Sequence, residues 1–433
     1  MTLPVHQVER FGVNWQFTWP TVGVCITAKS PREVRSDLAC VLTVTETVDD
    51  DELLLSAPTR LTLTSASGKR DLTRALNEAR EWPPDTYSWG DALEVVSTVV
   101  QRDWARGEPV LDLAGVELGD NEVPYLLRPY LPMGEVTALY GDGGNGKSVF
   151  ALSWALAVLT GQPVPHSSDP ALTGPVLYLD WETHHTSQAR RLRQIAAGIG
   201  LEELPTNFYY RKCSRPIIED CEQLAADCAR LDIALVVIDS LGWASGADIN
   251  EASVAINVMA AIRSLGCTAL VVAHSPKTER QASGRRSIAG SGFFEFAARS
   301  AWEIRSRETG TGTTRQAALY HRKANDSKLT DHPLGVGMEF SNDEGKPIRF
   351  HPGEVKPNDE LSKGSPLPGR IRQTLGRATR PATINEIATY LQCKVGEATT
   401  ALQAMPDVHQ VKGDDGAAGG WALKAPEKEE ASG

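Results

Sequence analysis

Gly141-Asp-Gly-Gly-Asn-Gly146-Lys147-Ser148 is the stretch on which the reading of this chain turns. It satisfies G-x-x-x-x-G-K-[S/T], with the apolar run Val136 to Tyr140 before it and the helical run Val149 to Leu159 after it. A strand, a glycine-rich turn and a helix in that order present backbone N–H groups and a helix amino terminus to a phosphate. Gly141, Asp142, Gly143, Gly144, Asn145, Gly146, Lys147, Ser148 and Val149 are therefore the expected nucleotide cradle. Lys147 is expected to reach the β- and γ-phosphates and the Ser148 hydroxyl to bind Mg²⁺, which makes ATP and Mg²⁺ the expected cofactors. The same letters contain Gly141-x-Gly143-x-x-Gly146, formally a dinucleotide fingerprint. That reading needs an acidic residue at a strand end about 20 positions on. Asp169 is near that distance but lies in the loop-like stretch Gly161 to Pro170, and Lys147-Ser148 would have no role, so the phosphate loop is preferred.

Outward from the loop, short apolar runs alternate with helical segments. Val176 to Leu179, Leu235 to Ile238 and Ala269 to Ala273 join Val136 to Tyr140 as uninterrupted apolar strands, the mark of a parallel sheet covered on both faces. Ala301 to Arg305, Gln316 to His321, Gly335 to Phe340 and Ile348 to His351 would extend that sheet at one edge. The fold class is α/β. Three strand ends carry chemistry. Asp239 closes Leu235 to Ile238, and on a strand beside the phosphate-loop strand it would hold the magnesium shell. Asp180-Trp181-Glu182 closes Val176 to Leu179, and a carboxylate there could orient the attacking water, Glu182 first and Asp180 as the alternative. His274 ends the next strand as a γ-phosphate sensor or a structural histidine.

The chain has 433 residues, enough for two or three domains. Residues 1–115 read as a small β-rich unit with two helices, Arg70 to Glu81 and Asp91 to Arg106, in which Trp15 and Trp19 suit a core better than a binding face. Residues 116–355 form the phosphate-loop domain, 356–368 a linker, 369–425 three short helices and two strands in the order of a winged helix, and 426–433 a disordered tail. A net charge of -11 excludes a protein held on nucleic acid or an anionic membrane by overall charge, so any DNA contact must be local. No apolar run reaches the roughly 18 residues a membrane span needs, and a cytoplasmic protein is expected. The 7 cysteines are scattered and form no C-x-x-C pair, which argues against disulfides and zinc.

Gly141 to Ser148, Leu179 to Glu182, Leu235 to Ser240 and Val271 to His274 together resemble the RecA-like ATPases, and within them the RepA-type hexameric helicases of plasmids and phages. The resemblance covers about residues 125 to 350. It implies a homo-oligomeric, hexameric ring with active sites between subunits and a basic finger entering the neighbouring site. Leu319-Tyr-His321-Arg322-Lys323-Ala-Asn325 is the matching stretch, which leaves Lys323 and Arg322 as candidates. The loop after His274, equivalent to one facing the central channel, carries Lys277, Arg280, Arg285 and Arg286 as candidate contacts to single-stranded DNA, unless it is only a solvated loop. The presumed recognition helix of the winged helix, Gly396 to Gln403, has no Lys or Arg, and its wing is acidic at Asp414-Asp415, so that module suits a protein partner as well as DNA. The function expected is an ATP-driven DNA motor or helicase. The rivals are a non-translocating recombination or repair ATPase and an ATP-dependent regulatory switch.

Overall fold

The computed structural model describes residues 6–11, 14–34, 37–48, 51–83, 86–106, 124–167, 172–276, 278, 284–309, 313–325, 327–330, 332–340, 346–412 and 419–424. Asp169, Lys277, Arg280, Asp414, Asp415 and the tail 426–433 lie outside the described residues. The chain divides into two compact units: Met1–Glu122 with Arg215–Ala234 and Ala260–Cys267, and Val123–Ser214 with Leu235–Met259 and Thr268–Gly433.

In the first unit, strands β1 (Gln7–Phe11), β2 (Asn14–Trp19), β3 (Val24–Val34), β4 (Asp37–Val48) and β5 (Asp51–Thr62) form an antiparallel sheet in sequence order. Strict alternation along β2 turns Trp15, Phe17 and Trp19 fully inward, where helices α1 (Ala66–Ala79) and α2 (Trp89–Arg106) close the core. The tryptophans fill a core.

The second unit begins with the hairpin β6 (Tyr125–Leu127) and β7 (Leu131–Pro132), then β8 (Val136–Gly141), α3 (Lys147–Thr160), β9 (Val176–Asp180), α4 (His185–Gly198) and β10 (Phe208–Lys212). The next helix, α5 (Ile217–Arg230), belongs to the first unit, where it lies against β3 and β4 and where Glu222 pairs with Arg60 (3.2 Å). Then follow β11 (Leu235–Asp239), α6 (Leu241–Ser245), α7 (Ala252–Arg263), β12 (Thr268–His274), α8 (Phe293–Ala297), β13 (Ser300–Thr309), β14 (Thr314–Ala324), β15 (Leu334–Glu339) and β16 (Arg349–Gly353). The sheet runs β10-β9-β11-β12-β8-β13-β14-β15-β16. The first six strands pair in parallel and the last three join antiparallel, so the core is a mixed α/β sheet, mostly parallel. Two details differ from the sequence reading. Strand β10, with polar Arg211 and Lys212 on the sheet edge, has no continuous apolar run to reveal it. The neighbours of β8 are β12 and β13, so the strand bearing Asp239 stands one place further away than expected.

After β16 the chain stays attached to the sheet. Val355 and Leu361, the latter on a 3-10 turn at Glu360–Gly364, pack against Ala318 and Tyr320 of β14. Three helices, α9 (Leu367–Arg377), α10 (Ile384–Leu391) and α11 (Val395–Ala404), and the hairpin β17 (Val408–Val411) with β18 (Gly420–Leu423) then enclose Ile371, Leu375, Ile387, Leu391, Leu402 and Met405. Thr383 opens α10 with a reciprocal cap, its hydroxyl accepting from Glu386 N–H while Glu386 accepts from Thr383 N–H. Among the described residues no helix is long and apolar enough to cross a membrane.

Candidate active site

Parallel register brings four strand ends to one edge of the sheet. His274 stands opposite Gly141 and Asp180 opposite Asp239. The N–H of Ser275 donates to the Gly141 carbonyl (3.1 Å) and that of Trp181 to the Asp239 carbonyl (2.9 Å), so the ends are tied as well as aligned. Open α/β sheets bind ligands at this edge. Here it holds a cleft of about 540 Å³ whose lining includes Gly144, Lys147, Ser148, Glu182, Asp239 and His274.

Glycine is required twice in the loop for different reasons. Gly146 caps α3 in the left-handed conformation (φ 87°), where a side chain would strain the backbone. A Cβ on Gly141 would stand 2.3 Å from the Ile304 carbonyl oxygen of β13. Asn145 fastens the loop to the same carbonyl through its amide (3.1 Å).

Lys147 is buried at the loop's centre, its Nζ donating to the carbonyls of Gly141 (3.0 Å) and Asp142 (2.8 Å) and standing 3.4 Å from His274 Nδ1. Burial lowers its pKa to about 8, against the opposing pull of Asp239, Glu182 and Asp142. The folded chain therefore sheds this proton more readily than the unfolded chain, whose lysine keeps its ordinary value of 10.5. Where only the unfolded state binds the proton, stability rises with pH, so the nucleotide-free chain should gain stability between pH 8 and 10.5. Lys147→Met is expected to remove that pH dependence and to raise the melting temperature at pH 7, while slowing hydrolysis by about 10²- to 10³-fold. Differential scanning calorimetry at pH 7 and 9.5 checks this, and an unchanged pH profile in the variant counts against it.

Ser148 hydrogen-bonds Asp239, and the Tyr178 hydroxyl donates to Asp239 Oδ2 (2.6 Å). Burial raises the Asp239 pKa, and the two hydroxyl contacts pull it back down. A hydroxyl beside a buried carboxylate is a hard, all-oxygen donor set, which suits Mg²⁺. Among the described residues no three His, Cys, Asp or Glu side chains are grouped so as to hold a metal ion by themselves, so Ser148 and Asp239 would share such an ion with phosphate oxygens. Bound there, the ion would offset phosphate charge.

The two candidate bases separate cleanly. Asp180 is fully buried, accepting from the N–H groups of Glu182 (2.8 Å) and Thr183 (2.7 Å) and from the Gln188 amide (2.9 Å). It fixes the turn that aims Glu182. Glu182 reaches the cleft, where the His274 imidazole, the Ser240 hydroxyl and Lys147 hold its pKa below the ordinary carboxylate value while burial opposes them. At 3.8 Å, His274 Nε2 touches Glu182 electrostatically and is too distant for a good hydrogen bond. Lys147, Glu182, Asp239, Ser148 and His274 thus form one constellation.

The remaining candidates scatter. Arg322 is half-buried, its Nε donating to Glu303 Oε2 (2.7 Å) and its Nη2 to the Gly364 carbonyl (3.0 Å), so it is committed to an internal ion pair and is no finger. Lys323 donates to the carbonyls of Glu295 (2.9 Å) and Phe296 (2.7 Å) on α8. Its strand partner Ala301 is level with Ala138, towards the opposite end of the sheet from the phosphate loop. Arg285 pairs with Glu295 at the surface. Arg286 turns inward, 9 % exposed and paired with Asp142 (2.5 Å), which corrects its reading as a DNA contact. Two cleft residues escaped the sequence reading. Arg315, at the start of β14, donates to the Gly144 carbonyl and pairs with Glu308 (2.7 Å), and Arg191 lines the cleft from α4. Thr314-Arg315-Gln316 reads as an ordinary polar strand start, and Arg191 as one of three arginines on an exposed helix face.

Residues 104–280 match the family described as AAA domain. The chain matches no curated protein. Among solved structures, a KaiC-like protein of the hyperthermophilic archaeon Pyrococcus horikoshii aligns over 52 % of this chain and 94 % of its own, at 16 % identity and a TM-score of 0.38. With the phosphate loop and its carboxylates brought together in one cleft, the match to an AAA domain over these residues supports a P-loop ATPase domain.

Proposed function

We propose that this ATPase is a ring-forming motor that acts on single-stranded DNA, with helicase activity as its simplest use. The observation that carries the reading is the position of Lys323. Its strand level, near the far end of the sheet from the chain's own phosphate loop, suits a group that serves a neighbour's site. Within one site, Glu182 takes up a proton from the water attacking the γ-phosphate, Lys147 neutralises charge on the phosphates, and His274, in contact with both, reports whether the γ-phosphate is present. Of the four basic candidates in the loop after His274, Arg285 is the one described at the surface, paired there with Glu295, and the order of α9, α10, α11 and the β17–β18 hairpin fits a winged helix.

One observation favours a second reading. Arg286 and Arg322 are both drawn into internal ion pairs, which thins the basic surface a DNA motor requires and favours an ATP switch that answers to a protein partner. ATP turnover measured with and without single-stranded DNA, with negative-stain images of the same samples, decides between them. Closed rings whose turnover rises with DNA are expected. Particles that stay monomeric, with a rate indifferent to DNA, would return the function to the protein-directed switch.

A further inference from the structure

Asp142 puts a carboxylate inside the loop that receives a triphosphate. Left unpaired, its charge would oppose each phosphate brought to the loop. Arg286 Nη1 stands 2.5 Å from Asp142 Oδ2, and the two side chains are only 10 % and 21 % exposed, so little solvent screens the pair. Four contacts to its backbone hold the segment bearing Arg286. The Tyr140 hydroxyl donates to the Arg286 carbonyl (2.9 Å), the Arg286 N–H faces Glu303 Oε2 (3.4 Å), Arg305 donates to the Gly284 carbonyl, and the Ala289 N–H donates to the His274 carbonyl (2.7 Å). Glu303, fully buried, binds the Arg305 and Arg322 guanidiniums as well (2.5 and 2.7 Å). A surface arginine would exchange partners freely; this one is kept at the loop by its own backbone.

We propose that Arg286 is a positioning residue of the nucleotide site: it neutralises Asp142 and so lets the phosphate loop accept a triphosphate. The same backbone contacts link loop and segment, so the position of residues 284–290 and nucleotide occupancy influence each other reciprocally. The proposal rests on the phosphate loop holding ATP; it needs neither DNA nor a ring.

The test is equilibrium binding of a non-hydrolysable ATP analogue with Mg²⁺ to the full chain and to Arg286→Gln, Arg286→Lys and the double variant Asp142→Asn/Arg286→Gln, with melting curves alongside. Taking the uncompensated charge to act across about 10 Å on one phosphate charge, at an effective dielectric near 20, gives about tenfold in affinity, which is the loss expected for Arg286→Gln. Arg286→Lys keeps the charge and should bind almost normally. The double variant should recover most of the lost affinity even if its melting temperature stays low, because the repelling carboxylate has gone. A double variant no tighter than Arg286→Gln, or an Arg286→Lys chain as weak as Arg286→Gln, overturns the proposal, since either would mean that Arg286 serves only the fold. If the unaltered chain binds the analogue and all variants match it, this inference alone falls; if the unaltered chain binds none, the ATP reading falls with it.

Discussion

Lys323→Ala should hydrolyse ATP about 10³- to 10⁵-fold more slowly than the unaltered chain, the range typical for removal of a cation that stabilises phosphoryl-transfer charge from across a subunit boundary. Binding of ATP to the single chain should barely change, because Lys323 lies away from its own phosphate loop, bonded to the last carbonyls of α8. Reaching a neighbour would require leaving those carbonyls, so α8 should shift when the ring is loaded. The decisive arrangement mixes two inactive chains. Lys147→Ala retains its finger but has no working loop, and Lys323→Ala retains its loop but has no finger. Mixed, they should regain part of the turnover that neither shows alone, at interfaces where the intact loop meets the intact finger. If mixtures stay as inactive as their components, or if Lys323→Ala works normally, Lys323 has no role in the neighbouring site.

Glu182→Gln should bind ATP with nearly unaltered affinity yet turn it over about 10²- to 10⁴-fold more slowly, the share usually assigned to a positioned general base. The isosteric amide keeps the contact with Ser240 and the turn built on Asp180, so the variant isolates the proton-accepting role. The pH dependence follows from the direction of the pKa shift. A base held below its ordinary 4.5 stays ionised, and therefore active, as acid is added until the pH falls beneath that value. Above it, Glu182 contributes no acid limb to the rate profile. Parallel loss of binding and turnover in Glu182→Gln would demote the residue to a structural support.

Those two residues show how far sequence could be read. The phosphate loop and the carboxylates Asp180, Glu182 and Asp239 were legible because local order alone, strand then turn, fixes both loop and strand end, and parallel pairing carries them to one edge. Glu182 lies two residues past the strand end at Asp180, and that Asp180 is the one turned inward shows only once its partners are known, among them the amide of Gln188, eight residues on along α4. Arg286 and Arg322 were misread for a different reason. Basic residues in a polar stretch look solvated until the acid that claims them is known, and Glu303 and Asp142 lie 17 and 144 residues away in sequence from Arg286. Arg315 was invisible because an antiparallel strand brings it to the loop from beyond the recognised motifs. Nor does any periodicity in α5 say that its apolar face belongs on the sheet of the first unit.

The 3-10 turn laid along β14 dictates where this protein can be cut. A Cβ at Gly364 would stand 2.6 Å from the Tyr320 ring, and Ser362 donates to the carbonyls of Pro357 (2.5 Å) and Asp359 (2.6 Å), so the turn is seated like a keystone over Tyr320. A fragment ending at residue 355 would uncover that aromatic ring and deprive Arg322 of its acceptor at Gly364. Expression of a catalytic core without the helical C-terminal module should therefore stop no earlier than Ser365, and a shorter version should come out of the cell sticky and prone to clump.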